Sequence, residues 1–158
     1  MKQAPDLQQA QQRMAPGALT MDGFLGTDPR SLIEILQDDD GAVRRLGLTH
    51  AEIGAAMGVL TDRAIAAFGG TVEHGDHAVC ACEAMGQMPC PFGHPGLYHK
   101  TVVEAENSVT GETMMWSVLQ VHMVAEHGFY EGKGAHFRLE PEAVARFLGI
   151  FPRQGEGA

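Results

Sequence analysis

Between Thr101 and Gly128 the sequence changes its period, and that change constrains the fold more than any other feature. TVVEAE (101–106) and ETMMW (112–116) are strand-like and flank NSVTG, a combination that predicts a β-hairpin. WSVLQVHMVAEHG (116–128) follows at once and reads as a helix. Ser117 is placed to cap it and Gln120 to complete a capping box, with Trp116 and Val121 at the staple positions. Gly128 is placed to end it.

Upstream the pattern is helical. Thr49-His50-Ala51-Glu52 is another capping box, and Ile53, Met57, Leu60, Ala64 and Phe68 recur behind it at spacings of three and four. Gly69-Gly70 stops that helix. Asp28-Pro29 reads as the start of an earlier one, carrying Leu32, Ile33, Ile35 and Leu36 and ending near Asp38-Asp39-Asp40-Gly41. VEHGDHAVCACEA suggests a strand over about 77–83, and the turn-rich GQMPCPFGHPG after it is expected to be irregular. A last helix is expected near PEAVARFLGI, with Pro141 in its first turn and Val144, Phe147 and Leu148 on its apolar face. Residues 1–18, rich in Gln, Ala and Pro, read as a flexible arm or a frayed helix. The sequence therefore predicts a single α+β domain over 19–158. In it N-terminal helices pack on a small, mostly antiparallel sheet, and a His-bearing helix follows a β-hairpin.

A chain of 158 residues can bury a sizeable core without disulfides. Its net charge of −9 argues against a broad phosphate-backbone surface, so no nucleic-acid partner is expected. LGLTHAEIGAAM has the letters of a helix-turn-helix opening, but a capped amphipathic helix explains them. No apolar run is long enough to span a membrane, and the N-terminus lacks an apolar signal core. Three cysteines, an odd number, fit reduced thiols in a cytoplasm.

Two histidines and a glutamate on a mostly apolar helix need an explanation, and a metal ion supplies one. Cys82 and Cys90, with His122 and His127 downstream, offer two sulfurs and two nitrogens, a set that suits tetrahedral zinc; iron and nickel are also compatible. Cys80 and Cys82 share one face of a strand. Glu126 is placed to orient His122 or, in an open site, to act as a base. On an ideal helix His122 and His127 stand roughly 140° apart, so the last turn must depart from ideal geometry for both to reach one ion. His94, flanked by Gly93 and Pro95, is the first reserve ligand, with Cys80 and His99 behind it. Each group taken singly also has a structural explanation, since free cysteines commonly just pack. HGDH (74–77) fits a solvated turn.

Two metal-based functions follow, with partner-binding without a metal as a third. One is a cytoplasmic zinc-binding protein whose ion joins a sheet turn to a helix and whose task is structural or partner-binding. The other is a metal-dependent, hydrolase-like enzyme with three protein ligands, a metal-bound water, and Lys133 and Arg138 to hold a small anionic substrate. GFYEGKG is not a P-loop, because the glycine spacing is short and no Ser or Thr follows the lysine; a mobile surface loop is expected there. A Cys90 nucleophile activated by a nearby histidine ranks below metal binding. No motif is specific enough to assign a family.

Overall fold

The computed structural model describes residues 3–151, so residues 1–2 of the expected arm and 152–158 of the expected domain lie outside it. Helices α1 (Pro5–Arg13), α2 (Leu32–Arg45) and α3 (His50–Ala66) precede the strands β1 (Val72–His74), β2 (His77–Pro89), β3 (Leu97–Asn107) and β4 (Thr113–Ser117). Helices α4 (Val118–His127) and α5 (Pro141–Leu148) follow. The strands form one antiparallel meander in the order β1-β2-β3-β4. The chain is thus α+β, with helices first and the His-bearing helix directly after the β3–β4 hairpin.

Strand β2 continues well beyond residue 83. Its register slips between Ala84 and Gln87, around Gly86 at φ +103°, and pairing resumes as Met88 opposite Tyr98 and Pro89 opposite Leu97. A bulge absorbs one irregularity without ending the ladder. The turn-rich stretch is therefore half strand, and the true turn begins at Cys90.

Helix α2 also departs from the expectation. Its cap is Ser31, in a capping box with Glu34. Asp28 instead accepts from the Arg30 guanidinium at 2.7 Å and from the Lys133 backbone N–H at 3.0 Å. The helix then runs through the acidic triplet, because each aspartate meets its own cation: Asp38 meets Arg30, Asp39 meets Arg138, and Asp40 meets Arg44 and His50. Consecutive helix positions point about 100° apart, so three adjacent carboxylates can serve three partners.

Helix α3 keeps its Thr49–Glu52 capping box and buries Ile53, Met57, Leu60 and Ala64. Phe68 does not extend that stripe. It lies past the helix end at φ +50° and is 95% exposed. At the start of α4, Ser117 accepts the Gln120 N–H, but the Gln120 side chain turns inward and donates to the Phe137 carbonyl at 2.5 Å, so no second capping box forms.

Helix α4 divides two cores. Val124 joins α3, the inner face of the sheet (Val79, Ala81, Val103, Ala105), Trp116 and Phe147 of α5. Leu119 and Met123 join Ala10, Met14, Phe24, Leu32, Ile35, Cys90 and Phe129. The stretch read as an arm thus contains α1, which places Ala10 and Met14 in the second core. Full burial of a side chain such as Met14 stabilises by about 1.5–3 kcal/mol relative to exposure. Helices α3 and α4 cross where Gly54 meets Ala125, and a Cβ at Gly54 would stand 2.5 Å from the Ala125 Cβ. That glycine sets how close α4 lies.

Candidate metal centre

The β2–β3 turn folds back onto the end of α4. Cys90 opens the turn and is 2% exposed. Prolines on either side restrict its backbone. The Gly93 N–H closes the turn on the Cys90 carbonyl at 3.0 Å, and Arg13 Nε of α1 holds the Pro91 carbonyl at 2.6 Å. The backbone N–H groups of Phe92 and His94 point at the Cys90 sulfur. Two amide donors on one sulfur favour its thiolate form.

From α4, His122 and His127 meet this sulfur. The ligand atoms of Cys90, His122 and His127 all lie within 4.8 Å of one another, a group able to hold a metal ion. The two imidazoles converge with their planes at 77° and their centroids 5.2 Å apart. Side-chain reach thus closes the angle that the helix opens, and Gly128 ends the helix at φ +62° immediately afterwards. Phe92 stacks on His127 at 4.2 Å, and Tyr98 leans on His122 at 4.8 Å, so both rings have a fixed backing. His127 Nε2 is buried and has no hydrogen-bond partner. Buried ring nitrogens rarely go without a partner, and a bound ion or water ordinarily supplies one.

His94 completes the surroundings. Its Nδ1 lies 3.1 Å from His122 Nε2. Two imidazole nitrogens on one tetrahedral zinc, each at about 2.0–2.1 Å from the ion, stand about 3.3 Å apart. The donor set therefore fits a small cation: one sulfur, two inward imidazoles, and a third imidazole at ligand spacing from one of them.

The electrostatics agree. Burial pushes the His127 imidazole down to about 4, and the neighbouring His122 and His94 push the same way, while Glu126 opposes them. His122 is lowered by burial and then by His94. Both shifts favour the neutral imidazole, the form that can bind a metal. The Cys90 thiol is raised by burial, which outweighs its two amide donors and Arg13. A nucleophilic Cys90 would need its thiolate stabilised by a neighbouring cation, and burial works against that. A metal ion would displace the thiol proton outright.

The remaining site residues fall elsewhere. Cys82 is exposed on β2 opposite Val102, and Cys80 opposite Glu104, on the shared face that the spacing predicts; neither is among the three residues that meet. His99 stands opposite Gln87 and is exposed. Glu126 is exposed and acts on both histidines through its charge; no hydrogen bond joins it to either. His122 has His94 as its ring partner instead. His77 Nε2 donates to the Phe147 carbonyl of α5, 2.7 Å away, so this end of HGDH is anchored rather than freely solvated.

The loop after α4 is packed rather than a free positive edge. Phe129, Tyr130, Glu131 and Gly132 are buried, and the Gly132 N–H donates to the Phe24 carbonyl at 2.9 Å. Arg138 has all five N–H donors engaged, on Asp39, Glu140 and the Glu131 carbonyl, which leaves none for an anionic substrate. Lys133 is exposed. Nothing local in the sequence pairs Asp39 with Arg138 across 99 positions.

No protein family matches the chain, and neither a curated protein nor a solved structure does. Among the described residues no helix is long and apolar enough to cross a membrane. The class that fold and site define is an α+β chain with a Cys/His group able to hold a metal ion.

Proposed function

We propose that this chain is a cytoplasmic zinc-binding protein in which Cys90, His122 and His127, with His94 as fourth donor, hold an ion that ties the β2–β3 turn to α4. The observation that carries this reading is His127 Nε2, buried and unpartnered beside the Cys90 sulfur and the His122 ring. One thiolate with imidazoles is a borderline-soft set, and zinc accepts it without a redox demand. His94 takes the place first given to Cys82. Four protein ligands make the ion structural: its binding free energy becomes folding free energy, and the protein's task lies in binding a partner. A reducing compartment suits a chain whose three cysteines are free.

A second reading rests on the exposure of His94, which lies outside the mutual 4.8 Å distance of the three other ligands. If His94 gives way to water, the site is open, and Glu126 is the nearest carboxylate in sequence to act as base.

The test is elemental analysis of protein purified without a metal-affinity tag, followed by cobalt(II) substitution. About one zinc per chain is expected, lost in Cys90→Ser and in His122→Ala, with a sulfur-to-cobalt charge-transfer band that vanishes in the former. His94→Ala separates the readings. Weakened binding supports the closed site, whereas unchanged affinity supports the open one. Metal retained at full stoichiometry by both Cys90→Ser and His122→Ala would remove the proposal.

A further inference from the structure

A second site lies away from the metal ligands, in a cavity of about 190 Å³ between the 20–24 loop, β3 and the loop after α4. Its walls are mainly apolar, with Phe24, Met88, Leu119 and Phe137 among them, and Glu131 forms part of the lining. Glu131 is 3% exposed, yet its carboxyl makes no hydrogen bond or ion pair; only its backbone carbonyl is used, by Arg138. A buried carboxyl without a partner costs several kcal/mol if ionised. The backbone there is strained as well. Glu131 sits at φ +66°, a left-handed conformation that a residue with a Cβ rarely adopts. Such strain persists where the surrounding structure enforces it, and it clusters at ligand sites. The neighbours enforce it here: Gly132 is pressed against the Leu25 carbonyl, with 2.3 Å from a Cβ built there to that oxygen.

We propose that this cavity binds a small organic ammonium ion, a primary amine on a short apolar body, with the Glu131 carboxylate as its counter-ion. The amine would supply the cation and the N–H donors that the carboxyl lacks, while its hydrocarbon part would cover the apolar walls. A cavity of about 190 Å³ suits a ligand with a short hydrocarbon body. The chain's net charge of −9 favours the approach of cations. The titratable groups facing the cavity are Asp22 of the 20–24 loop, His99 and Lys100 of β3, and His136 of the loop after α4, all exposed to solvent. Burial holds the Glu131 carboxyl up at about 8, so binding an ammonium at pH 7 must expel its proton.

The experiment is calorimetry of the purified full-length protein with n-pentylamine, in buffers of different ionisation enthalpy, with n-pentanol as the uncharged control. Binding of the amine with release of nearly one proton at pH 7 is expected. Its affinity should rise about tenfold between pH 7 and pH 9, as the carboxyl ionises while the amine stays charged. Glu131→Gln, checked for folding by its thermal transition, should lose the amine. Equal binding of pentanol, amine binding that survives in Glu131→Gln, or no amine binding at either pH would each overturn the proposal. Because Glu131 is not a metal ligand, amine binding undiminished in His122→Ala shows that this site stands or falls apart from the metal reading.

Discussion

The turn around Cys90 and the loop around Arg138 both fasten distant segments of the chain, but by opposite means. Arg138 is complete within the protein: its five donors have five acceptors, and its side chain is 8% exposed. The Cys90 turn is incomplete. It gathers a sulfur and two imidazoles and leaves His127 Nε2 without a partner among the protein's own groups. A fastening of the first kind works in any medium that leaves the charges intact. A fastening of the second kind works only when something from outside is supplied, which makes it conditional on metal.

That contrast can be broken first at Arg138. Arg138→Ala leaves the Asp39 carboxylate buried at 4% exposure with no cation. Removing one partner of a buried pair typically costs about 3–5 kcal/mol, and the loss should be the same with and without chelator in a urea titration. A loss that appears only in the metal-loaded protein would mean that the two fastenings are one.

Removing the metal ligand is the complementary test. A bound ion stabilises by about 2.7 kcal/mol when its free concentration is one hundred times its dissociation constant. His127→Ala should forfeit that increment, so its urea midpoint should no longer respond to zinc, while the wild-type midpoint should fall on adding chelator. Chelator-insensitive wild-type stability would remove the distinction between the two regions.

Gly54 sharpens the comparison from a distance, since it fixes how closely α4 approaches α3. Gly54→Ala puts a methyl 2.5 Å from the Ala125 Cβ and must push α4 outward. Overpacking of this kind costs about 1–3 kcal/mol. Zinc affinity should drop as well, because His122 and His127 ride on α4, whereas the Asp39–Arg138 pair, borne by other segments, should keep its contribution. A double variant with Arg138→Ala should therefore be additive in stability.

The same contrast explains what could be read in the sequence. Features set by neighbours in the chain were legible: the Thr49–Glu52 capping box, the Ser117 cap, the β3–β4 hairpin, and the order of helices and strands that defines the α+β class. The meeting of Cys90 with His122 and His127 was legible too, because unusual polar groups on an apolar helix ask for a common partner. Features set by distant residues were not. The acidic triplet looks like a helix end until Arg138, Arg30 and His50 are seen to satisfy it. Cys82 fits the ligand spacing, but strand alternation and a bulge further on leave it exposed while Cys90 is carried inward. GFYEGKG has the glycines of a mobile loop, but Gly132 and Gly134 instead permit close contact with Leu25 and Thr27, and Gly128 with the His50 ring.

Glu131 offers the smallest effect per unit of pH and the finest test, because it is a third kind of group: buried like Asp39, and without a hydrogen-bond partner like His127 Nε2. Its folded-state value of about 8 lies above the 4.5 of a free glutamate. Between those values the native chain holds a proton that the unfolded chain has lost, so stability falls as pH rises through the window. The contribution is whole below about pH 4.5 and is lost progressively up to about pH 8, above which both states are ionised. Within the window the slope is at most about 1.4 kcal/mol per pH unit, so that much should be lost between pH 6 and pH 7. Glu131→Gln should abolish this component. Adding a saturating amine should reverse it, because the ligand binds the ionised form and so stabilises more at higher pH. A wild-type profile identical to that of Glu131→Gln over this range would show that the carboxyl has found a partner, and it would move Glu131 to the side of Arg138, among the groups the protein satisfies by itself.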